Sequence, residues 1–239
     1  MDARAAAQEL ERRLGAVARA ERAEHERRYL KSSLRHLGVS VPAIRRTALG
    51  FLEEHELDRS ELLALARALW KEPVHERRMA AVEILAERAD LLGPDDLPLV
   101  EELLRDSRTW ALVDPLAIQV AGSLVDRWPE LGSTLDRWAG DEDFWVRRSA
   151  MLALLSGLRA GAGDLDRFLS YADAMLEERE FFIRKAIGWV LRETGKRRPG
   201  VVARWLEPRA GRASGVTLRE AVKHLSEGQQ ERILRAAGH

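Results

Sequence analysis

The stretch RKAIGWV at residues 184–190 carries the pattern that decides the fold. Ala186, Ile187 and Val190 follow Arg184 by two, three and six positions. In an α-helix, which turns by roughly 100° per residue, these three apolar side chains lie on one stripe about 100° wide. The stretch is therefore predicted to be a helix that buries one face.

The same pattern recurs along the chain at a nearly constant interval. Its first residue, here called the key position, returns every 32 to 36 residues, and five of the six key positions are arginines. The key positions are Arg46, Arg78, Asp114, Arg148, Arg184 and Arg219. The residues two, three and six positions later are apolar in all six repeats. An interval of about 35 residues is typical of one helix pair in a helical-repeat protein.

Further helices are predicted between the key helices. They cover residues 56–69, 95–105, 122–139, 164–177 and 199–207, and Gly or Pro marks many of the joints. No stretch shows the sustained alternation of a β-strand. The sequence therefore predicts an all-α superhelical solenoid of about six helix pairs. We expect one domain over residues 1–239, with residues 1–28 as an N-terminal capping helix.

Composition excludes several classes of site. The chain has no cysteine, which excludes disulfides, Cys-based zinc sites and Cys nucleophiles. Its six histidines show no metal-ligand spacing, so we predict no metal and no cofactor. No apolar run approaches the ~18 residues of a membrane span. The N-terminal segment MDARAAAQELERRL lacks the apolar core of a secretory signal, so a cytoplasmic location is expected.

Charge is balanced overall but not locally. Thirty-nine bases face 39 acids, and a net charge of zero argues against a nucleic-acid-binding protein. Residues 181–223, however, contain eleven bases and three acids, a net charge of +8. This segment is either an Arg-rich surface facing solvent or a phosphate-binding patch.

Asp114 is the one acid among the key positions. Trp110 precedes it by one helical turn, so both side chains project from the same side of one helix. Two interpretations follow. Asp114 is either the ion-pair partner of Arg148 in the next repeat or a functional acid beside Trp110, and periodicity alone does not separate them.

Other Arg and Trp residues have a structural interpretation. An arginine at a key position commonly pairs with an acid of the neighbouring repeat, and this is the role we predict for Arg46 and Arg78. The tryptophans expected in the core are Trp70, Trp138 and Trp205. Trp189 differs, because it lies off the apolar columns and within the basic segment.

Three segments carry a resemblance to a known family. They are SRTWALVDPLA (107–117), EDFWVRRSAMLALL (142–155) and EREFFIRKAIGWVLRE (178–193), with support from RYLKSSLRHLGVSVPAIRR (28–46) and TLREAVKHL (217–225). The chain resembles the bacterial AlkD-type DNA alkylation-repair glycosylases, which have HEAT-like repeats and remove alkylated purines. The likeness covers nearly the whole chain in order. It implies a right-handed superhelix with a concave DNA-binding face.

The resemblance also implies roles for individual residues. Trp110, Asp114 and Trp189 match the catalytic cluster of the family, and Arg148 matches a base that contacts the DNA backbone. The residues expected to bind DNA are Arg147, Arg148, Arg184, Lys185, Arg192, Arg219 and Lys223. Pro115 departs from the family pattern, and its missing N–H would tilt the acid before it.

The implied activity is hydrolysis of the N-glycosidic bond of cationic N3- and N7-alkylated purines, without a deep base pocket. The expected partner is double-stranded DNA containing alkylated purines. The protein is expected to be a monomer associated with the bacterial nucleoid. Neither a metal nor a membrane is expected to take part. Two alternatives stay open, a non-catalytic DNA-binding relative and a protein-interaction solenoid.

Overall fold

The computed structural model describes residues 1–238, and the chain divides into two compact units, Met1–Val120 and Ala121–His239. The described residues form α-helices, short 3-10 turns and one π-helical segment, and they contain no β-strand. The predicted all-α class is therefore confirmed. No helix in this part of the chain is both long enough and apolar enough to cross a bilayer.

The first unit is built around a buried helix. Its helices are α1 (Ala3–Gly15), α2 (Ala20–Leu30), α3 (Val41–Glu54), α4 (Arg59–Lys71), α5 (His75–Glu87), α6 (Leu97–Ser107) and α7 (Trp110–Pro115). Helix α5 contacts α1, α3, α4 and α7, and every residue from His75 to Leu85 is buried. Helix α2, in contrast, has no buried residue.

The N-terminal segment differs from the prediction. Residues 1–28 were expected to form one capping helix, but α1 ends at Gly15 and α2 begins only at Ala20. Glycine stabilises a helix less than any other residue except proline, and Arg19 before α2 is extended, with φ −137° and ψ 115°. The break therefore follows from local backbone preferences that the apolar pattern does not report.

The second unit is arranged around α13. Its helices are α8 (Gly122–Arg127), α9 (Gly132–Ala139), α10 (Phe144–Leu152), α11 (Leu155–Ala160), α12 (Leu165–Ala174), α13 (Phe181–Gly195), α14 (Pro199–Leu206), α15 (Gly215–Ala221) and α16 (Glu227–Ala236). Helix α13 packs against α10, α11, α14 and α15.

The single helix predicted over residues 122–139 is wrong. Helix α8 ends at Arg127, the turn Pro129–Leu131 follows, and α9 begins at Gly132. Pro129 disfavours the helical conformation at the residue before it, and Trp128 accordingly has φ −128° and ψ 85°. The apolar pattern continues through this break, which is why it suggested one helix.

Pro115 changes the helix type directly after Asp114. Helix α7 ends at Pro115 and the π-helical segment Leu116–Ala121 follows it. Pro115 has no N–H to donate to the carbonyl of Ala111 and its ring crowds that carbonyl, so the regular ladder cannot continue unchanged. Pro115, which departs from the family pattern, therefore coincides with a local widening of the helix directly after Asp114.

The apolar columns of the repeat form the core. All residues two and six positions after the key positions are buried, and the former are fully inaccessible to solvent. Of the six residues that lie three positions after a key position, five are buried and only Leu49 is half-buried. Trp70 and Trp138 lie in the core as predicted, with 6% and 0% exposure. Trp205 does not, because it is half-buried with the Arg209 guanidinium 4.9 Å from its ring.

Arg78 joins two repeats, as predicted for a key-position arginine. Its buried guanidinium lies 2.8 Å from a carboxylate oxygen of Asp106 and donates to the Asp106 carbonyl at 2.9 Å. The Trp70 indole donates to the same carboxylate at 3.1 Å. Burial lowers the pKa of Arg78, and Asp106 offsets part of that effect. For Arg46 the prediction is wrong, because it is exposed and forms no ion pair within the described residues.

We expect Asp106→Ala to lower the free energy of unfolding by about 1–3 kcal/mol, because it leaves the buried Arg78 guanidinium with an unpaired charge. Urea denaturation measures the change. The matched control is Glu102→Ala on the same helix, whose ion pair with Arg67 is exposed on both sides and is worth about 0–1 kcal/mol. Equal losses for the two variants would contradict the structural role of the Arg78 network.

Candidate functional site

Trp110 and Asp114 lie one turn apart on α7 in the first unit. The helix begins at Trp110 because the Thr109 hydroxyl before it accepts the backbone N–H of Ala111 at 3.4 Å, which satisfies one of the free donors of the first turn. Both Trp110 and Asp114 are half-buried. The pair therefore shares one side of a short helix and retains access to solvent.

The Trp110 ring is held by an aromatic neighbour that the sequence did not reveal. The ring of Tyr29, on α2, meets Trp110 edge-on, with centroids 6.2 Å apart and planes at 86°. Such edge-to-face pairs contribute about 0.5–1.5 kcal/mol beyond the area they bury. Tyr29 is itself 67% exposed, so this contact orients the Trp110 ring without enclosing it.

Basic residues line a cavity whose wall includes Arg108, two positions before the start of α7. The cavity has a volume of about 470 Å³, and Lys31, Arg78 and Arg108 are among its lining residues. Lys31 and Arg108 both have a left-handed backbone with φ 48°, which non-glycine residues adopt only rarely. Neither residue was predicted as functional, because each lies at the C-terminal end of a helix and outside the repeat columns.

Arg148 is a buried connection within the second unit. The side chain is 4% exposed, and its Nη1 donates to the carbonyl oxygen of Phe182 at 2.6 Å. Arg147 beside it forms an ion pair with Glu178 at 2.8 Å and donates to the carbonyls of Asp141 and Glu142. Both predicted DNA contacts therefore also hold the start of α10 in place.

Three of the predicted DNA contacts share one carboxylate. Lys185 lies 3.3 Å and Lys223 lies 2.9 Å from Glu220, and Arg192 forms an ion pair with its other oxygen. Burial raises the pKa of Glu220, but Lys223 and Lys185 outweigh it and hold the pKa below its usual value. The cluster formed by Lys185, Arg192, Glu220 and Lys223 is here called the Glu220 cluster.

Trp189 contacts a cation from a neighbouring helix. The Arg159 guanidinium carbon lies 5.6 Å from the centroid of the half-buried Trp189 ring. Glu193 holds Arg159 at 3.1 Å and Lys196 at 2.8 Å. Burial raises the pKa of Glu193, but these two bases outweigh it and keep the pKa below its usual value. Arg159 lies outside the basic segment, so local charge counting could not find it.

The two remaining key-position arginines differ in exposure. Arg184 is half-buried and its Nε donates to the Glu178 carbonyl at 2.6 Å. Arg219 is exposed and forms no ion pair within the described residues. Among the predicted DNA contacts, Arg219 is therefore the one least engaged with the rest of the unit.

Ion pairs reduce the charge of the basic segment. Arg209 and Arg212 pair with Asp173, and Arg212 also pairs with Glu177, although both acids precede residue 181. The net charge of +8 already includes Glu193 and Glu220, so Asp173 and Glu177 are the further acids, and they reduce it to about +6. Many bases of this segment are therefore paired with acids, as the interpretation of a solvent-facing Arg-rich surface predicts.

Within the described residues, one group has a geometry suited to a metal ion. It consists of Glu26, His36 and Glu76 in the first unit. The histidines show no ligand spacing in the sequence, because His36 and Glu76 are 40 positions apart and meet only through the fold. The prediction that the protein uses no metal remains a prediction.

Comparison with known proteins identifies the family. The profile of the DNA alkylation repair enzymes matches residues 10–225. A search of curated proteins found no significant match. Among solved structures, a predicted DNA alkylation repair enzyme from Enterococcus faecalis has a TM-score of 0.78 at 23% identity, covering 88% of this chain and 97% of the other.

A second solved structure has the same fold at greater distance. AlkD2 from Streptococcus mutans has a TM-score of 0.61 at 16% identity, covering 78% of this chain and 91% of the other. Identities this low show the fold alone, whereas the profile match extends over most of the 239 residues. The chain belongs to the DNA alkylation repair enzyme family.

Proposed function

We propose that this protein is a DNA glycosylase that hydrolyses the N-glycosidic bond of cationic N3- and N7-alkylated purines in duplex DNA. Family membership supports a role in DNA alkylation repair. The observation that carries the finer proposal is the pair of Trp110 and Asp114, which share one side of α7 and retain solvent access. A carboxylate beside an aromatic ring is suited to a positively charged substrate.

The chemistry needs few protein groups. An alkylated purine already carries a positive charge, so it leaves with the bonding electrons of the C1′–N bond and becomes neutral without a general acid. The sugar left behind is an oxocarbenium-like cation. Asp114 stabilises this charge and orients a water, whose oxygen bonds to C1′ while its proton passes to the carboxylate.

The two tryptophans are the proposed contacts to the cationic nucleotide. An indole face attracts a cation by about 0.5–2 kcal/mol, depending on how far water is excluded. Tyr29 supports this role at Trp110 by fixing the ring orientation. At Trp189, the Arg159 guanidinium already lies 5.6 Å from the ring centroid, so this ring binds a cation in the folded protein.

The proposed phosphate contacts differ in how strongly the protein already engages them. They are Arg147, Arg148, Arg184, Lys185, Arg192, Arg219 and Lys223. Arg219 and Lys223 are exposed, whereas Arg148 is buried and Arg147 is held by Glu178. We therefore expect Arg219 to contribute to DNA affinity with little effect on stability, and Arg148 to contribute to both.

A base-release assay tests the proposal directly. Wild-type protein should release 7-methylguanine or 3-methyladenine from methylated duplex DNA. Asp114→Asn should lower the rate by about 10²–10³-fold, because the amide stabilises the sugar cation poorly, while duplex binding is preserved. Asp95→Asn is the matched control, since Asp95 is an exposed carboxylate of the same unit.

Binding without release by the wild type would instead identify a non-catalytic DNA-binding relative. Absence of duplex binding at low salt would favour a protein-interaction role. An Asp114→Asn variant as active as the wild type would remove Asp114 from the mechanism.

The salt dependence of DNA binding tests Arg219. Arg219→Ala should weaken binding and reduce the slope of log K against log salt by about 0.9, the value for one lost phosphate contact. Arg212→Ala removes the same charge from the same segment, but Arg212 is held by Asp173 and Glu177, so its slope should stay unchanged. An equal change in both variants would show a general charge effect and not a contact.

Glu220 should limit the affinity for DNA. Glu220→Gln leaves Lys185, Arg192 and Lys223 without their shared counter-charge, so duplex binding should strengthen and its salt slope should become steeper. Glu207→Gln, which removes an acid paired with Arg232, is the control. A slope unchanged by Glu220→Gln would place the Glu220 cluster outside the DNA contacts.

A further inference from the structure

A cluster of His and Glu side chains in the first unit has no part in the proposed reaction. Glu26 on α2, His36 in the connection to α3, and Glu76 on α5 each bring one ligand atom to the cluster, and these atoms lie within 4.8 Å of one another. Two consecutive segments of the chain therefore meet α5, which lies about 40 residues further on. We call these three residues the 26/36/76 cluster.

Backbone hydrogen bonds fix the position of His36. The Arg35 N–H donates to the Pro73 carbonyl and the His75 N–H donates to the Arg35 carbonyl, each at 2.9 Å. This short parallel bridge places the His36 ring on the His75 ring, with centroids 4.5 Å apart and planes at 9°. The imidazole therefore has one preferred orientation beside Glu76.

Three imidazole nitrogens lack the hydrogen bonds that burial requires. Both ring nitrogens of His36 and Nδ1 of His75 are inaccessible to solvent and have no hydrogen-bond partner. A buried polar atom left without a hydrogen bond destabilises the folded state. His75 as a whole is only 4% exposed.

Backbone amides hold the Glu76 carboxylate in one orientation, as the carboxylate of a metal ligand is held. One carboxylate oxygen accepts the N–H of Gly38 at 2.6 Å and of Val39 at 3.2 Å, and the other accepts the N–H of Leu37 at 2.9 Å. A carboxylate has about four acceptor positions, so these three bonds leave one unused. The fully buried Glu76 therefore has a fixed direction and a remaining lone pair.

We propose that Glu26, His36 and Glu76 bind a divalent metal ion of the zinc type, with the stacked His75 ring positioning His36. One imidazole nitrogen and two carboxylate oxygens suit Zn²⁺, which binds such ligands at about 2.0–2.2 Å. Ligand atoms around such an ion are roughly 3.4 Å apart, so the cluster contracts by about 1 Å when it binds. The metal satisfies one of the orphaned nitrogens of His36.

Glu26 is the residue that moves. It lies on α2, is only half-buried, and pairs with Arg22 at 2.6 Å. A surface ion pair of this kind contributes little to stability, so exchanging it for a metal bond costs little. His36 and Glu76, in contrast, are already held by ring stacking and by backbone amides.

The metal would anchor a helix that has few other attachments. Helix α2 has no buried residue and approaches the next segment through its backbone, where an added Cβ at Gly38 would lie 2.0 Å from the Arg19 carbonyl oxygen. The helix also carries Tyr29, which contacts Trp110. A bound ion at Glu26, about one turn before Tyr29, therefore secures the aromatic support of the candidate catalytic helix.

Calorimetric titration of chelator-treated full-length protein with ZnCl₂ tests the site. The wild type should bind one Zn²⁺ per chain and become more resistant to thermal unfolding. Glu26→Gln and His36→Phe, which keeps the ring stack, should each weaken binding by roughly 10- to 100-fold. The controls Glu24→Gln and His25→Gln alter exposed residues of the same helix outside the cluster, so their affinity should equal that of the wild type.

Hydrogen exchange supplies a second readout. Zinc should slow amide exchange over residues 20–30 in the wild type and leave it unchanged in Glu26→Gln. Absence of saturable binding by the wild type would overturn the proposal, as would equal affinities of the wild type and Glu26→Gln. Glu26→Gln decides the question even if His36→Phe does not fold, because Glu26 lies on the half-exposed side of the cluster.

Discussion

Close approach of helices at the alanine column is the constraint on which both units depend. Two positions after the key position stand Ala48, Ala80, Ala150, Ala186 and Ala221, and all are completely buried. Their small side chains let neighbouring helices pack closely, and larger residues would cost about 1–3 kcal/mol each through overpacking. The third repeat has Leu116 instead, at the start of the π-helical segment. The column fixes the register of each helix and thereby the direction of its key position.

Two of the key-position arginines donate to a backbone carbonyl of a neighbouring helix. Arg78 donates to the carbonyl of Asp106 and Arg148 donates to the carbonyl of Phe182, whereas Arg184 donates to the Glu178 carbonyl in the loop before its own helix. An aspartate has no N–H to donate, so Asp114 cannot make this connection. The third repeat thus lacks an interaction that the second and fourth repeats make. This exchange is the physical counterpart of the anomaly in the sequence pattern.

Features of the fold and the candidate site that depend on a single helix could be predicted from the sequence. The apolar columns predicted the core, and the spacing of Trp110 and Asp114 predicted their common side of α7, because both depend only on helical geometry. Breaks at Gly15 and Pro129 were missed, since local backbone preferences end a helix without interrupting its apolar pattern.

Features formed by distant segments could not be predicted in this way. Tyr29 meets Trp110, Arg159 meets Trp189, and His36 meets Glu76 only after folding. Charge counting had the same limit, because acids before residue 181 neutralise bases within the basic segment. A linear window reports which charges are near in sequence, whereas binding depends on which charges remain unpaired in space.

The central claim is that Asp114 stabilises a positively charged sugar, and the affinity for a charged mimic of that sugar measures it most directly. Duplex DNA with a cationic pyrrolidine in place of one nucleotide is compared with the same duplex carrying neutral tetrahydrofuran. The wild type should prefer the cationic duplex by roughly tenfold or more, and Asp114→Asn should lose that preference. An equal preference in the two proteins, or none in the wild type, would contradict the account.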